Sequence, residues 1–420
     1  MTDEEKTDSL LGGYCGLDLT DEKGLLCGCI MGMLGAEVIK VEKPGGDTAR
    51  NKGPFYHDIL HPERSLFWFA YNANKKGITL DIESTDGKEI FKQLVEKADF
   101  VIESFSPGYM DKLGLGYPAL CEINPGIIVT SVSAFGQTGP YKDYKASDIV
   151  GMAMSGYMYL CGDTDRPPLR ISLPQAYLNA AVDAATGTVI ALYHRQISGQ
   201  GQQVDISMQQ SLVMMTMNAV PFWEFDKVIL RRGGPYRVGL SSGASQRQVW
   251  RCKDGMVTFV IFGGRTGAKT NRELVKWMDG EGMAVEFLKE IDWDNFDMAT
   301  ATQDFWDRAE AVIGSFLLNH TKVELSQRAQ ESGILLTPIS TPGEILENPQ
   351  FKARQFWTEV EHPELDDTIT YPGAFMKASE TPLRIRRRAP LIGEHNMEIY
   401  QQWLGLSSED LVMLKQGGVI

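Results

Sequence analysis

The sequence contains no run of about 18 consecutive apolar residues, the length a helix needs to cross a bilayer, so no membrane span is expected. Positive charge is in deficit, with 41 Lys and Arg against 55 Asp and Glu and a net charge of −14. Such a surface repels nucleic acid and anionic membranes, and neither is an expected partner; a polyanionic ligand needs a local basic pocket. Histidine is sparse. Of the six, His57, His61, His194, His320, His362 and His395, only the first two have i, i+4 spacing, and Pro62 directly after them argues against a zinc-binding helix. No metal site is expected. Cysteines at Cys15, Cys27, Cys29, Cys121, Cys161 and Cys252 show no paired spacing beyond Cys27-x-Cys29, which reads as packing. Reduced thiols and the acidic start Met-Thr-Asp-Glu-Glu-Lys-Thr-Asp, where a secretory signal is basic, lead to a cytoplasmic expectation. No Gly-x-Gly-x-x-Gly opens a helix, so a nicotinamide-dependent dehydrogenase has no fingerprint here.

What is present is a βαβ rhythm. Gly16–Thr20 reads as a strand, Lys23–Leu34 as a helix and Ala36–Glu42 as a strand, with a turn at Pro44-Gly-Gly-Asp47. Lys76–Ile82, Phe100–Ser104 and Ile127–Val132 follow as strands. Between the first two of these, Asp86 and Glu89 have capping-box spacing before a helix whose apolar stripe is Ile90, Phe91, Leu94, Val95 and Ala98. The fold class is therefore α/β: a doubly wound, Rossmann-like parallel sheet forms the large domain, and ligands are expected at the carboxyl ends of its strands.

Residues 172–211 carry the strongest pattern. Leu178, Ala181, Val182, Ala185, Val189, Leu192 and Tyr193 recur at helical spacing after Pro174, predicting a helix over Gln175–Gln196. The turn Ser198-Gly-Gln-Gly201 ends it, and Gln203–Ser207 alternates as a strand. Farther on, Met208, Met214, Met215 and Met217 read as core filling. Gln248–Cys252 and Met256–Ile261, joined at Asp254-Gly255, read as a hairpin inside a smaller α+β domain. Arg386-Arg-Arg388 reads as a solvated face or a set of ion-pair partners.

The segment Ala-Leu-Tyr-His-Arg-x-x-Ser-Gly-x-Gly-Gln-x-Val-Asp-Ile-Ser-Met, residues 191–208, closely resembles family III CoA-transferases of the formyl-CoA and carnitine CoA-transferase type. So do Leu34–Glu42, Asn72-x-Asn-Lys-Lys76, Phe105-x-Pro-Gly108 and Gly136–Pro140, in order. Ala389-Pro-Leu-Ile-Gly-Glu-His-Asn396 extends the likeness, which covers about residue 16 to 420. The resemblance implies an interlocked dimer topology, with residues 1–211 as the first part of the large domain, 212–330 as the small domain and 331–420 returning to the large one. It implies CoA thioesters as substrates, no permanently bound cofactor, and transfer of CoA from an acyl-CoA to a small carboxylic acid.

In that family an aspartate attacks the acyl-CoA. Counting back without gaps from Ala191-Leu192, its place here falls on Tyr177, or on Ala176 if Tyr177 pairs with a tyrosine that follows the aspartate. Neither supplies a carboxylate, and a phenol with a reference pKa of about 10 is neutral at pH 7. No catalytic residue is therefore assigned. Asp183, six residues on, lies about 9 Å along the helix and reads as a hydrogen-bonded helix carboxylate. The turn Thr20-Asp-Glu-Lys-Gly24 further departs from the family by placing two carboxylates near the thioester. A racemase of the same superfamily needs His-Asp where Ser147-Asp148 stands.

Carried over position by position, the resemblance assigns CoA binding to Lys43 at the adenosine phosphate, Leu80 by a backbone contact, Ser104, Phe105 and Ser106 at the adenine-side turn, and Lys112 and Lys145 at phosphates. It also makes residues 239–246, rich in Gly and Ser, either a loop covering the thioester or a surface loop. The expectation that follows is the nucleophile-lacking subunit of a heteromeric transferase. Its partner is a homologous subunit carrying the aspartate, the donor is succinyl-CoA, and (R)-benzylsuccinate is the candidate acceptor; a non-enzymatic CoA-binding scaffold and a homomer with a relocated nucleophile are the alternatives.

Overall fold

A computed structural model describes residues 9–238 and 243–420. The chain divides into two compact units, each described by itself. The first comprises the described residues up to Tyr157 with Ile171–Asn218 and Pro349–Ile420, and the second Met158–Arg170 with Ala219–Asn348.

Six strands build the first unit: β1 (Cys15–Leu19), β2 (Glu37–Glu42), β3 (Lys75–Thr79), β4 (Phe100–Glu103), β5 (Ile128–Ser133) and β6 (Gln202–Ser207). All pair in parallel, in the order β3-β2-β1-β4-β5-β6. Strands β1, β3, β4 and β5 are buried along their whole length, including the charged Asp18, Lys75 and Lys76 on β1 and β3. The sheet needs a sixth strand from beyond residue 200, so it is not completed within the first 135 residues.

Helices α1 (Leu25–Met33), α2 (Leu66–Asn72), α3 (Thr85–Lys97), α4 (Tyr109–Leu113), α5 (Asp148–Met154) and α6 (Gln175–Ser198) accompany it. The predicted stripe of α3 is buried, but its cap is not the Asp86–Glu89 box. Ser84 takes that role, its Oγ accepting the Gly87 N–H at 3.0 Å, because the chain already turns at Asp81. Helix α6 starts where predicted and runs to Ser198, ended by Gly199 at φ +73. Its buried face matches the predicted one in part: Ala181, Ala185 and Leu192 are buried as expected, Leu178 and Val189 are half-buried, and Val182 and Tyr193 are not buried. Small residues, Ala176, Ala180, Ala184 and Thr188, face the sheet, while Val182, Ile190 and Tyr193 stay 45%, 62% and 70% exposed. Alanine allows that close approach: Thr188 Oγ1 lies 2.6 Å from Thr130 Oγ1 on β5.

Under the sheet runs an ionic core. Lys75 Nζ donates to Asp18 Oδ2 at 2.7 Å, to Asn72 Oδ1 and to the Leu25 carbonyl, with both charged side chains fully buried. Burial alone would raise the Asp18 carboxyl, but Lys75 and Lys40 outweigh it and hold Asp18 below its usual range. Gly28 makes room for the pair, since a Cβ there would fall 2.2 Å from Asp18 Oδ2. Arg50 meets Glu42 at 2.6 Å and Glu63 at 2.7 Å, stacks over Trp68, and donates to the Pro390 carbonyl. Asn72-x-Asn-Lys-Lys76 is thus a structural motif. The C-terminal segment straps across the same region: Trp68 Nε1 also donates to Pro390 O, Asn396 brackets Thr79, and Tyr400 Oη donates to Thr79 O. Of the arginine run, Arg388 pairs with Glu364 and Glu394, and Arg386 donates to the Gly32 carbonyl.

The second unit carries the predicted hairpin, Val249–Cys252 against Gly255–Phe259 around Asp254-Gly255. Leu336–Pro338 adds a third antiparallel strand. Helices Gly264–Gly280, Gln303–Leu317 and Lys322–Ser332 cover a core that includes Trp250, Phe259, Trp306 and Phe316. Back in the first unit, Met208 is core, but Met214 and Met215 are more than half exposed and Met217 is 61% exposed. The helix there, Met208–Met214, is only two turns long and presents one face inward.

Candidate functional site

Strand order reverses direction between β1 and β4, so the chain leaves their carboxyl ends to opposite sides and opens a crevice, the position where doubly wound sheets hold ligands. A cavity of about 210 Å³ sits there, lined among others by Leu19, Val41, Lys43, Leu80, Ser104 and Phe105. Four of the seven expected binding residues, Lys43, Leu80, Ser104 and Phe105, therefore share one wall. Ser106 follows in the same turn and its carbonyl accepts the Tyr109 N–H, starting α4. Lys112 on α4 and Lys145 ahead of α5 are exposed and do not line the cavity.

The crevice floor is tied by the first βα turn. Ser104 Oγ accepts the Asp21 N–H at 2.9 Å and donates back to Asp21 Oδ1 at 2.9 Å, bolting the end of β1 to the end of β4. Each carboxylate of that turn has its own cation: Lys23 Nζ contacts Asp21, and Lys52 contacts Glu22. The turn is thus charge-balanced internally rather than offering free donors to an anion. Beside it Glu103, 5% exposed, accepts the Phe105 N–H at 2.7 Å. Burial pushes its carboxyl up to about 7, against the opposing pull of Ser131, the Phe105 N–H and Lys23.

At the crevice mouth Lys43 Nζ lies 2.9 Å from Glu83 Oε1, and the Tyr109 hydroxyl donates to the same oxygen. The Tyr109 ring packs on Phe105, centroids 4.6 Å apart. Motif reading missed Glu83, Tyr109 and Glu103; only the carboxyl-end positions, Glu103 as the last residue of β4 and Glu83 after β3, gave a usable signal.

The N-terminus of helix α6 lies within electrostatic reach of the crevice turn, since the charge of Asp21 acts on Tyr177. Asp148 on α5 accepts the Ala176 N–H at 2.8 Å, capping the helix in place of Pro174. Tyr177, 8% exposed, is held above the ordinary phenol range by burial, with the charges of Asp21 and Asp148 adding to it against the Asp148 N–H that its oxygen accepts. It is a neutral phenol in the physiological range. Asp183 is partly exposed on the same helix, roughly 240° around the axis from Tyr177 by helical geometry, on another face. Residues 239–242 of the Gly- and Ser-rich loop lie outside the described residues. No cluster of three or more metal-ligating side chains occurs among the described residues, and no described helix is long and apolar enough to cross a membrane.

A second, larger cavity of about 770 Å³ in the first unit is almost wholly apolar, with Leu26, Met33, Val182, Val189, Ile190 and Phe375 in its lining.

Comparison with known proteins adds four findings. The model of CoA-transferase family III matches residues 21–396. The chain is 35% identical, over 91% of its length and 92% of the relative's, to the succinyl-CoA:(R)-benzylsuccinate CoA-transferase subunit BbsE of Thauera aromatica. It is 33% identical to the succinyl-CoA–D-citramalate CoA-transferase of Chloroflexus aurantiacus, over 94% of each chain. Among solved structures, a CAIB/BAIF family protein from Brucella suis superposes with a TM-score of 0.79 at 26% identity, covering 93% of this chain and 98% of that one.

Proposed function

The chain belongs to CoA-transferase family III, and from that premise we propose that it is the subunit of a heteromeric transferase that lacks the nucleophile, its partner being a homologous subunit that carries the aspartate. The observation that carries this reading is Tyr177. Attack on a thioester needs a group that is already anionic, and a buried phenol whose proton is held more tightly than usual does not supply one. An acyl ester of tyrosine would also lack the reactivity of a mixed anhydride. Asp183 faces elsewhere on the helix, which counts against a relocated nucleophile.

Transfer then divides between two chains. The partner's carboxylate takes the acyl group as a mixed anhydride and releases CoA thiolate. The thiolate attacks the aspartyl carbonyl, freeing the donor acid and leaving an aspartyl-CoA thioester. The acceptor carboxylate displaces the thiolate to form a second anhydride, and the thiolate then attacks the acceptor's acyl carbonyl, releasing the acceptor's CoA thioester and the free aspartate. This chain holds CoA in the β1/β4 crevice, with Lys43 as a phosphate partner and Phe105 as an apolar wall; Lys112 and Lys145 remain proposed phosphate contacts from outside the cavity lining. Residues 239–246 act as a lid over the partner's thioester, excluding water that would hydrolyse the anhydride. The donor is succinyl-CoA and the acceptor a dicarboxylic acid such as (R)-benzylsuccinate, in line with the names of the two curated relatives.

The outer face of α6 is in keeping with a subunit partner: Val182, Ile190, Tyr193 and Ile197 form an exposed apolar stripe, and Val182 and Ile190 also line the 770 Å³ cavity. The test is turnover: the purified chain alone gives no transfer from succinyl-CoA to (R)-benzylsuccinate, and adding the Asp-containing homologue restores it. Robust turnover by the chain alone refutes the proposal.

A further inference from the structure

The crevice has a single cation in its lining, and that cation is already occupied. Lys43 is the only Lys or Arg among the described residues lining the 210 Å³ cavity. Its Nζ lies 2.9 Å from Glu83 Oε1, in a pair whose members are 58% and 47% exposed. The Tyr109 hydroxyl first, then Lys43, and least Lys88 hold the Glu83 carboxyl below its ordinary range. The carboxylate thus spans the crevice mouth from the residue after β2 to helix α4, and Tyr109 in turn packs against Phe105 on the cavity wall.

We propose that Glu83 is a built-in competitor for the anion position of the crevice, and so sets how strongly this chain distinguishes a phosphorylated ligand from the same ligand without that phosphate. The inference rests on the CoA-binding reading given above. A phosphate approaching Lys43 meets a carboxylate already there. Two anions about 4 Å apart repel by about as much as one exposed ion pair gains, so the phosphate gains little until Glu83 swings out. Being solvent-exposed, the Lys43–Glu83 contact is weak enough to be displaced, which a buried pair such as Asp18–Lys75 is not. The consequence is a crevice that accepts the adenosine end of CoA mainly through shape and apolar contact, with the 3′-phosphate contributing less than an unopposed lysine would allow.

Glu83→Gln tests this, because glutamine keeps the size and still accepts the Tyr109 hydroxyl but carries no charge. Calorimetric titration of the whole chain with CoA and with dephospho-CoA, which lacks the 3′-phosphate, separates the outcomes. The proposal expects Glu83→Gln to tighten CoA about five-fold at low salt while dephospho-CoA stays within two-fold, a gain that fades toward 1 M salt as screening lengths shrink to about 3 Å. In a Lys43→Met background the same substitution produces no gain. If Glu83→Gln weakens CoA, or shifts both ligands equally, Glu83 is a ligand contact or a structural tie and the proposal is overturned. If the unmodified chain binds neither ligand, the CoA-binding reading itself fails and this inference falls with it.

Discussion

Glu103 offers a quantitative test of the crevice, because its carboxyl is buried at the end of β4 with one charged hydrogen bond to the Phe105 N–H and a hydroxyl partner in Ser131. Burial displaces it from the ordinary 4.5 to about 7, and each pH unit is worth about 1.4 kcal/mol, so the full effect is about 3 kcal/mol. The sign follows from proton counts. Between pH 4.5 and 7 the folded chain holds a proton that the unfolded chain has released, so stability falls as pH rises through that window and levels off above it. Lys23 and Asp205 are the charged groups facing it; Lys23 lowers and Asp205 raises the value. Glu103→Gln imitates the protonated acid at every pH. Urea unfolding of both proteins at pH 5 and pH 8 should therefore show the variant gaining about 2–3 kcal/mol on the parent between the two pH values, with Glu103→Gln the more stable at pH 8. Parallel pH profiles for the two proteins would refute the argument, since they would mean that Glu103 titrates alike folded and unfolded.

Other outcomes follow from the same geometry. Lys75→Met leaves Asp18 without its nearest charge partner in a fully buried site, and the first unit should lose about 3–5 kcal/mol, read as a fall in the urea midpoint. Gly28→Ala forces a methyl against Asp18 Oδ2 and should destabilise the same unit by about 1–3 kcal/mol by thermal unfolding, the range of a strained core insertion. Asp183→Asn should leave transfer by the two-chain assembly within two-fold of the parent in a coupled CoA assay, whereas a relocated nucleophile would make it inactive.

Much of the fold was legible because periodicity reports burial directly. Fully buried parallel strands such as Ile128–Ser133 appear as runs rich in β-branched residues, and Gly199 marks the end of α6. The inward face of α6 was legible in part: Ala181, Ala185 and Leu192 are buried as read, but hydropathy also favoured Val182 and Tyr193 over Ala180 and Ala184, while tight packing selects the smaller residue. The Ser84 cap was missed because Asp86 and Glu89 fit a box equally well on spacing alone, and the deciding turn at Asp81 is set by tertiary contacts. In the crevice, Lys43, Leu80, Ser104 and Phe105 line one cavity, while Lys112 and Lys145 do not. The Tyr109–Glu83 contact and the Asp21–Ser104 bolt had no sequence signature, since each joins residues at least 26 positions apart.

The central claim, that this chain lends a site but no nucleophile, is tested most directly by trapping the acyl-enzyme. The two-chain assembly is incubated with succinyl-CoA, treated with borohydride or hydroxylamine, and each chain is mapped by peptide mass spectrometry. The account predicts modification confined to an aspartate of the partner, with this chain, including Tyr177 and Asp183, unmodified; a trapped adduct on any residue of this chain would contradict it.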